Sequence, residues 1–176
     1  CLLALVSTPV AALAQGGYFG RNKVQYQEFD FKVLKTEHFD IYFYPEEEEG
    51  ARMAARMSER WYARLSKLLN HELRGRQPLV LYASPSHFWQ TNAIQGELGE
   101  GTGGVTVAFK RRLQLPLAGP IEATDHVLGH ELVHAFQYDI TSTNVSSGNA
   151  GALALPLWFI EGMAEYLSIG PVDPHT

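Results

Sequence analysis

The stretch Gly129-His130-Glu131-Leu132-Val133-His134-Ala135-Phe136-Gln137 contains the pattern H-E-x-x-H inside a segment that is predicted to be helical. Because successive helical residues turn by about 100°, His130 and His134 share one face, roughly 6 Å apart along the axis. Two such imidazoles can hold one ion, and Glu131 beside it can take a proton from a zinc-bound water. The stretch predicts a zinc hydrolase; the alternative is an ordinary amphipathic helix in which Glu131 is a solvated charge.

The composition is that of one globular domain. The chain has 176 residues, of which 45% are hydrophobic and 19% are charged. The net charge is -5 and the Lys and Arg residues are scattered, so the sequence carries no electrostatic signature of nucleic-acid binding. The basic cluster Lys110-Arg111-Arg112 is interpreted as a solvated strand end.

Residues 1–14 form an apolar run that ends in Ala12-Leu13-Ala14, which is typical of a truncated secretory signal peptide with cleavage before Gln15. The run is too short for a stable membrane span, and Pro9 disfavours the alternative of a buried helix. We therefore expect an exported protein in the periplasm, the outer membrane or the medium. Cys1 would leave with this leader, so a zinc site would have to use His and carboxylate ligands.

Hydrophobic periodicity predicts an α+β domain over residues 24–170, in which a mixed sheet packs on the motif helix and a second helix closes the site. The predicted strands are 28–34, 38–44, 77–82, 105–109 and 112–115. The predicted helices are 46–69, 84–89, about 122–138 with Thr124 as its cap, and 156–167, with loops over 96–104 and 141–151. The helix over 46–69 is expected to bury a stripe of Met53, Met57, Trp61, Leu65 and Leu68.

A catalytic zinc site needs one more protein ligand than His130 and His134 provide, since such sites take three and keep the fourth position for water. Glu161, in the last predicted helix, is the candidate. An unpaired carboxylate would be costly there, because its neighbours in sequence are Trp158, Phe159, Ile160, Met163 and Leu167. A solvated helix charge is the alternative interpretation of Glu161.

The pattern H-E-L-V-H, followed after a linker by L-P-L-W-F-I-E-G-M-A-E-Y over residues 155–166, resembles the gluzincin zinc metallopeptidases. Those of the aminopeptidase N type carry W-x-x-E-G-x-A in their second helix. The resemblance implies a zincin-like fold and hydrolysis of peptide bonds, with zinc held by His130, His134 and Glu161 and with Glu131 as the general base. It also implies that Glu165 is the acidic residue that orients a ligand histidine.

A looser resemblance extends upstream. The leader, the segment H-F-D-I-Y-F-Y over 38–44 and the Gly-Gly-Val-Thr segment over 103–106 are similar to exported bacterial proteins of the peptidase MA type. These often carry a TolB-like propeller after the peptidase domain, so we expect the N-terminal part of a longer protein. Gly104 and Val105 would lie in the edge strand that pairs with substrate backbone, although a plain core strand is equally compatible. No oxyanion-stabilising residue can be assigned, since gluzincins usually supply it from a later segment.

His126 and Asp125 precede the motif in the same predicted helix. His126 lies about 12 Å along the helix axis from His134, too far to share its ion, so a cleft-lining or packing role is expected. Asp125 either hydrogen-bonds a metal ligand or caps the helix.

The rival function is a cell-envelope binding or scaffold module that retains a zinc-peptidase fold, and the intact Glu131 argues against it.

Overall fold

A computed structural model of the chain describes residues 26–90, 103–107, 111–117, 119–143 and 155–169. The predicted leader, the loop residues 96–102, the strand residues 108–109 and the loop residues 144–151 lie outside these ranges.

The described residues include one five-stranded mixed sheet with the strand order β1-β2-β3-β5-β4. β2 pairs in parallel with β3, and β3 with β5, whereas β1 and β4 are antiparallel to their neighbours. The strands are β1 (Lys32–Lys35), β2 (Phe39–Phe43), β3 (Gln77–Tyr82), β4 (Val105–Val107) and β5 (Arg112–Pro116). β4 therefore forms one edge of the sheet.

The described part of the chain also contains four α-helices: α1 (Glu48–Leu69), α2 (Pro85–Trp89), α3 (Ile121–Thr143) and α4 (Leu157–Ile169). A parallel strand pair needs a crossover connection, and α1 provides it between β2 and β3. The predicted mixed α+β class is confirmed at this level. Among the described helices, none is both long enough and apolar enough to cross a membrane.

The core lies between one face of the sheet and the helices α1 and α3. Strand side chains alternate between the two faces, and the residues at alternate positions of the three central strands are fully buried on the core side. They are Phe39, Ile41, Leu79, Leu81, Leu113 and Leu115. The register places Ile41 beside Leu79 and Leu79 beside Leu113, so these side chains form a continuous apolar row.

The opposite face of the sheet is covered by an aromatic cluster, which explains one wrong strand boundary. The predicted strand 28–34 is instead β1, Lys32–Lys35. Phe29 stacks on Tyr44 with ring centroids 4.8 Å apart, and Phe31 meets Tyr44 and Tyr82 edge-on. The alternating aromatics before β1 therefore pack over the sheet and do not pair with β2.

The apolar stripe of α1 is confirmed for Met57, Trp61 and Leu65, which are buried. It is wrong for Leu68, which is 55% exposed. The buried stripe advances in steps of four from Trp61 through Leu65, so it continues to Leu69, which packs against the core.

Helix α3 is longer than predicted at both ends. It begins at Ile121, directly after Pro120, so the prediction that Thr124 caps it is wrong, and Thr124 is a buried residue inside the helix. It continues through residues 141–143, which were expected to form a loop. The Thr141 hydroxyl donates to the backbone oxygen of Gln137 at 2.7 Å, so its polar group is satisfied within the helix.

Close contact between α1 and α3 depends on Gly129. A Cβ atom at this position would lie 2.7 Å from Cε2 of Trp61, closer than side-chain packing permits. The absent side chain lets the Trp61 ring lie against the helix backbone directly before His130. Gly129 thereby allows α3 to pack with Leu128, Leu132 and Phe136 in the core.

The buried carboxylate of Asp139 on α3 is the centre of an ion-pair cluster. Its carboxylate is 1% exposed and lies 2.8 Å from Nε2 of His71, 3.1 Å from Nε of Arg74 and 2.7 Å from Nη2 of Arg111. Burial raises the pKa of Asp139, but the hydrogen bonds from His71 and Arg74 and the two Arg charges outweigh it, so the pKa lies below its ordinary value. The cluster ties α3 to the α1–β3 connection and to the start of β5.

We expect Asp139→Asn to lower the free energy of unfolding by about 2 kcal/mol at neutral pH, because three side chains lose the buried anion that they share. Since the folded-state pKa is depressed, this stabilisation is present above the unfolded-state pKa of about 4 and is lost as the pH falls through the folded-state pKa. Urea denaturation of both proteins across this range measures the difference.

The matched control is Asp40→Asn, which removes a more exposed carboxylate that pairs with Arg76 and should cost less than about 1 kcal/mol. The stabilising role of Asp139 would be contradicted if both variants lost the same free energy of unfolding. It would also be contradicted if the loss in Asp139→Asn grew as the pH fell.

Candidate metal centre

The two histidines of the motif lie on the face of α3 that points away from the core. Their Nε2 atoms are 3.1 Å apart, and the rings are nearly perpendicular, with centroids separated by 4.8 Å. His134 is buried and His130 is partly exposed. The arrangement directs one nitrogen of each ring toward a common point.

Glu161 of α4 completes the group. Its Oε2 atom is 3.3 Å from Nε2 of His130 and 3.4 Å from Nε2 of His134. Ligands placed about 2.0–2.1 Å from a tetrahedral zinc ion are themselves separated by about 3.3 Å. The three donor atoms therefore have the spacing of one face of such a site, and the group His130, His134 and Glu161 could hold a metal ion.

Glu161 does not lie in the apolar surroundings that its sequence neighbours predict, so that prediction is wrong. The Glu161 side chain is 50% exposed, and Trp158 is 75% exposed. Neighbours in sequence project in different directions around a helix, so they do not enclose the carboxylate. Glu161 is a candidate ligand because α4 crosses α3 beside the two histidines.

Glu165 lies one helical turn beyond Glu161 on the same side of α4. Its Oε2 atom is 3.4 Å from Nδ1 of His130 and 3.3 Å from Nε2 of His126. Glu165 thus lies beside the nitrogen of His130 that does not face Glu161, and its role in orienting this histidine stays a prediction. His126 lies in the cleft wall and outside the three-residue group.

Asp125 does not serve either of the roles predicted for it. Its carboxylate hydrogen-bonds the Arg60 guanidinium, and Nε1 of Trp61 donates to the side chain and the backbone oxygen of Asp125, both at 3.0 Å. The side chain thus points toward α1 and not toward the metal-ligand candidates. Because α3 begins at Ile121, Asp125 lies within the helix and cannot cap its N-terminus. It fastens α3 to α1 below the candidate site.

Glu131 is buried at the base of the cleft, where Thr106 of β4 holds it. The Thr106 hydroxyl lies 2.7 Å from Oε2 of Glu131 and 2.8 Å from its backbone oxygen. Burial raises the pKa of the Glu131 carboxyl above its ordinary value. The hydrogen bond from Thr106 and the neighbouring His134 lower the pKa, but they offset only part of this increase. Nothing in the local sequence identifies Thr106, because the contact joins residues 25 positions apart.

The edge strand β4 forms the other wall of a cleft of about 460 Å³ above the histidines, lined in part by Gly104, Val105 and Thr106. β4 is thus an edge strand that faces the cleft, and its pairing with substrate backbone stays a prediction. A Cβ atom on Gly104 would lie 3.0 Å from Cγ of Glu131 and 2.9 Å from Cγ1 of Val127. Glycine at this position allows β4 to approach the motif helix closely.

Two further residues of α3 contribute to the site and had no role in the sequence interpretation. Gln137 is buried, and its Oε1 atom lies 2.9 Å from Nδ1 of His134. Tyr138 lines the cleft, and its ring is nearly parallel to that of His134. Burial and then the charges of Glu131 and Glu161 raise the pKa of Tyr138, which favours its O–H form. Helical spacing from His134 by three and four residues was the available signal.

Comparisons with protein-family models, with curated proteins and with solved structures found no match to this chain.

We expect Glu161→Gln to weaken zinc binding by more than about 100-fold, because it removes the anionic ligand, whereas Glu165→Gln keeps all three donors and should cost about 10- to 100-fold. Competition with a chromophoric chelator measures both affinities. Glu122→Gln, an exposed acid in the first turn of α3, is the control and should bind as the wild type does. Wild-type affinity in Glu161→Gln would remove Glu161 from the ligand set.

Proposed function

We propose that this chain carries a zinc metallopeptidase domain of the gluzincin type with a zincin-like fold, and that it hydrolyses peptide bonds. The observation that carries the proposal is the triangle of Nε2 of His130, Nε2 of His134 and Oε2 of Glu161, with Glu131 in the same cleft. Helices from separate parts of the chain supply the three donors, which supports a metal site over a chance motif.

The donor set favours zinc. Two imidazole nitrogens and one carboxylate oxygen form a common ligand set of catalytic zinc in peptidases, whereas Ca²⁺ and Mg²⁺ select oxygen ligands. When bound, zinc supplies Lewis-acid chemistry that polarises a peptide carbonyl and acidifies a water molecule. His130, His134 and Glu161 would hold it.

Glu131 is proposed to act as the general base. Its carboxylate would accept a proton from the attacking water and then deliver that proton to the leaving amine. The Thr106 hydroxyl holds Oε2 of Glu131 at 2.7 Å, so the base enters the reaction with one oxygen already oriented. A fixed carboxylate loses less conformational freedom on reaching the transition state.

The substrate is proposed to be an extended peptide that lies along β4. Because β4 is an edge strand, backbone groups on its outer side can pair with an added strand, which would contact Gly104 and Val105. Such a peptide would run over the histidines, since Gly104, Val105 and His130 line the same cleft.

We propose that the protein is exported and that a propeller follows this domain in the full-length protein. The apolar run at residues 1–14 supports export to the periplasm, the outer membrane or the medium, and the peptidase MA resemblance supports a propeller in the full-length protein. The rival, an envelope binding or scaffold module, needs no general base, so the ordered Thr106–Glu131 contact favours the peptidase.

We expect Glu131→Gln to keep its zinc and to lose hydrolysis by at least about 100-fold, because the amide cannot accept the proton. Glutamine preserves the side-chain shape and can still accept from Thr106. The test combines metal analysis with cleavage of a peptide library by the zinc-loaded wild type and variant, with Glu122→Gln as the control.

Wild-type cleavage should stop on addition of a chelator and return on addition of zinc. Equal cleavage by Glu131→Gln would contradict the mechanism, and a zinc-loaded wild type that cleaves no member of the library would favour the binding module.

A further inference from the structure

Gln137 connects the two helices of the candidate metal centre through one side chain. It lies one turn beyond His134 on α3 and is 5% exposed. Its Nε2 atom donates to the backbone oxygen of Ile160 at 3.0 Å, and its Oε1 atom lies 2.9 Å from Nδ1 of His134. Ile160 directly precedes Glu161, the candidate ligand on α4.

The direction of these two hydrogen bonds is determined by chemistry alone. A backbone carbonyl can only accept, so the amide nitrogen of Gln137 must face Ile160. This orientation leaves the amide oxygen facing His134, and that oxygen can also only accept. Nδ1 of His134 must therefore carry the hydrogen, which leaves Nε2 of the neutral ring with its lone pair free.

We propose that Gln137 is a positioning residue that holds His134 in the Nδ1–H form, with its Nε2 lone pair directed at the metal position, and that fixes α4 beside it. Nε2 of His134, the nitrogen without a hydrogen, lies 3.1 Å from Nε2 of His130, from which it can accept, and 3.4 Å from Oε2 of Glu161. A hydrogen on this nitrogen would prevent it from binding a metal ion. Gln137 thus prepares the ring for metal binding before the metal arrives.

The hydrogen bond from Gln137 to Ile160 affects the distance between the candidate ligands His134 and Glu161. The Glu161 side chain is half exposed, whereas Gln137 is buried. The bond from Gln137 to the Ile160 carbonyl fastens α4 one residue before Glu161. A change at Gln137 should therefore affect both the protonation pattern of one ligand and the position of another.

The inference rests on the proposed metal centre, so the test includes a readout that needs no metal. In the metal-free full chain, ¹H–¹⁵N correlation spectra of the imidazoles at about pH 8.5, above the ordinary imidazole pKa, report which nitrogen of His134 carries the hydrogen. Zinc affinity is measured separately by chelator competition. The variants are Gln137→Met, which removes both hydrogen bonds, and Gln137→Glu, which keeps an acceptor for His134 but lacks the donor for Ile160.

The wild type should show His134 as the Nδ1–H form, and Gln137→Glu should retain that form. Gln137→Met should show a mixture of both forms and bind zinc about 10- to 100-fold more weakly. The control is Gln77→Met, which replaces another buried glutamine. The Gln77 amide donates to the backbone oxygen of Gly75, so this change should leave the His134 spectrum and the zinc affinity unchanged.

An Nε2–H form in the wild type, or an unchanged spectrum and affinity in Gln137→Met, would overturn the proposal. If Gln137→Met fails to fold by circular dichroism, the wild-type and Gln137→Glu spectra decide it, since both depend only on the acceptor beside Nδ1. A wild type with the Nδ1–H form that binds no zinc would refute the metal centre and leave the hydrogen-bond assignment intact.

Discussion

Helix α3 must bury one face in the core while its opposite face forms the floor of the cleft, and the arrangement of the other elements depends on this division. Leu128, Leu132 and Phe136 pack against the sheet and α1, and the motif histidines consequently point outward. The Trp61 ring lies against Gly129, so the helix is held directly before its first candidate ligand. Because the buried face is extensive, the orientation of the ligand face follows from packing that is independent of any metal.

The electrostatics of the cleft favour a cation. Glu131, Glu161 and Glu165 gather around the histidine pair, and in the described part of the chain no Lys or Arg lines the cleft. Carboxylates at such close range repel one another, and burial of Glu131 adds a desolvation cost. A divalent ion between the donors would offset both effects, which supports the proposal that the acidic cluster exists to hold one. Arg74 and Arg111 do not line the cleft and pair instead with the buried carboxylate of Asp139.

Local patterns predicted the strands β2, β3 and β5 and all four helices, because each depends on periodicity within a short segment. Helix ends were less predictable, since residues such as Thr141 satisfy their hydroxyls inside the helix. Glu161 was identified for a reason that the structure does not support, because exposure depends on which way a helix side chain faces. Thr106 was beyond prediction, since its contact with Glu131 joins distant segments, whereas Gln137 was within reach through its spacing from His134.

The central claim is that two histidines of α3 and one glutamate of α4 form a single metal site. The most direct measurement is anomalous X-ray diffraction from crystals of the zinc-loaded protein at the zinc absorption edge. We expect one strong peak about 2.0–2.2 Å from Nε2 of His130, Nε2 of His134 and a carboxylate oxygen of Glu161. A peak bound by His126 or Glu165 in place of Glu161, or no peak in this cleft, would contradict the account.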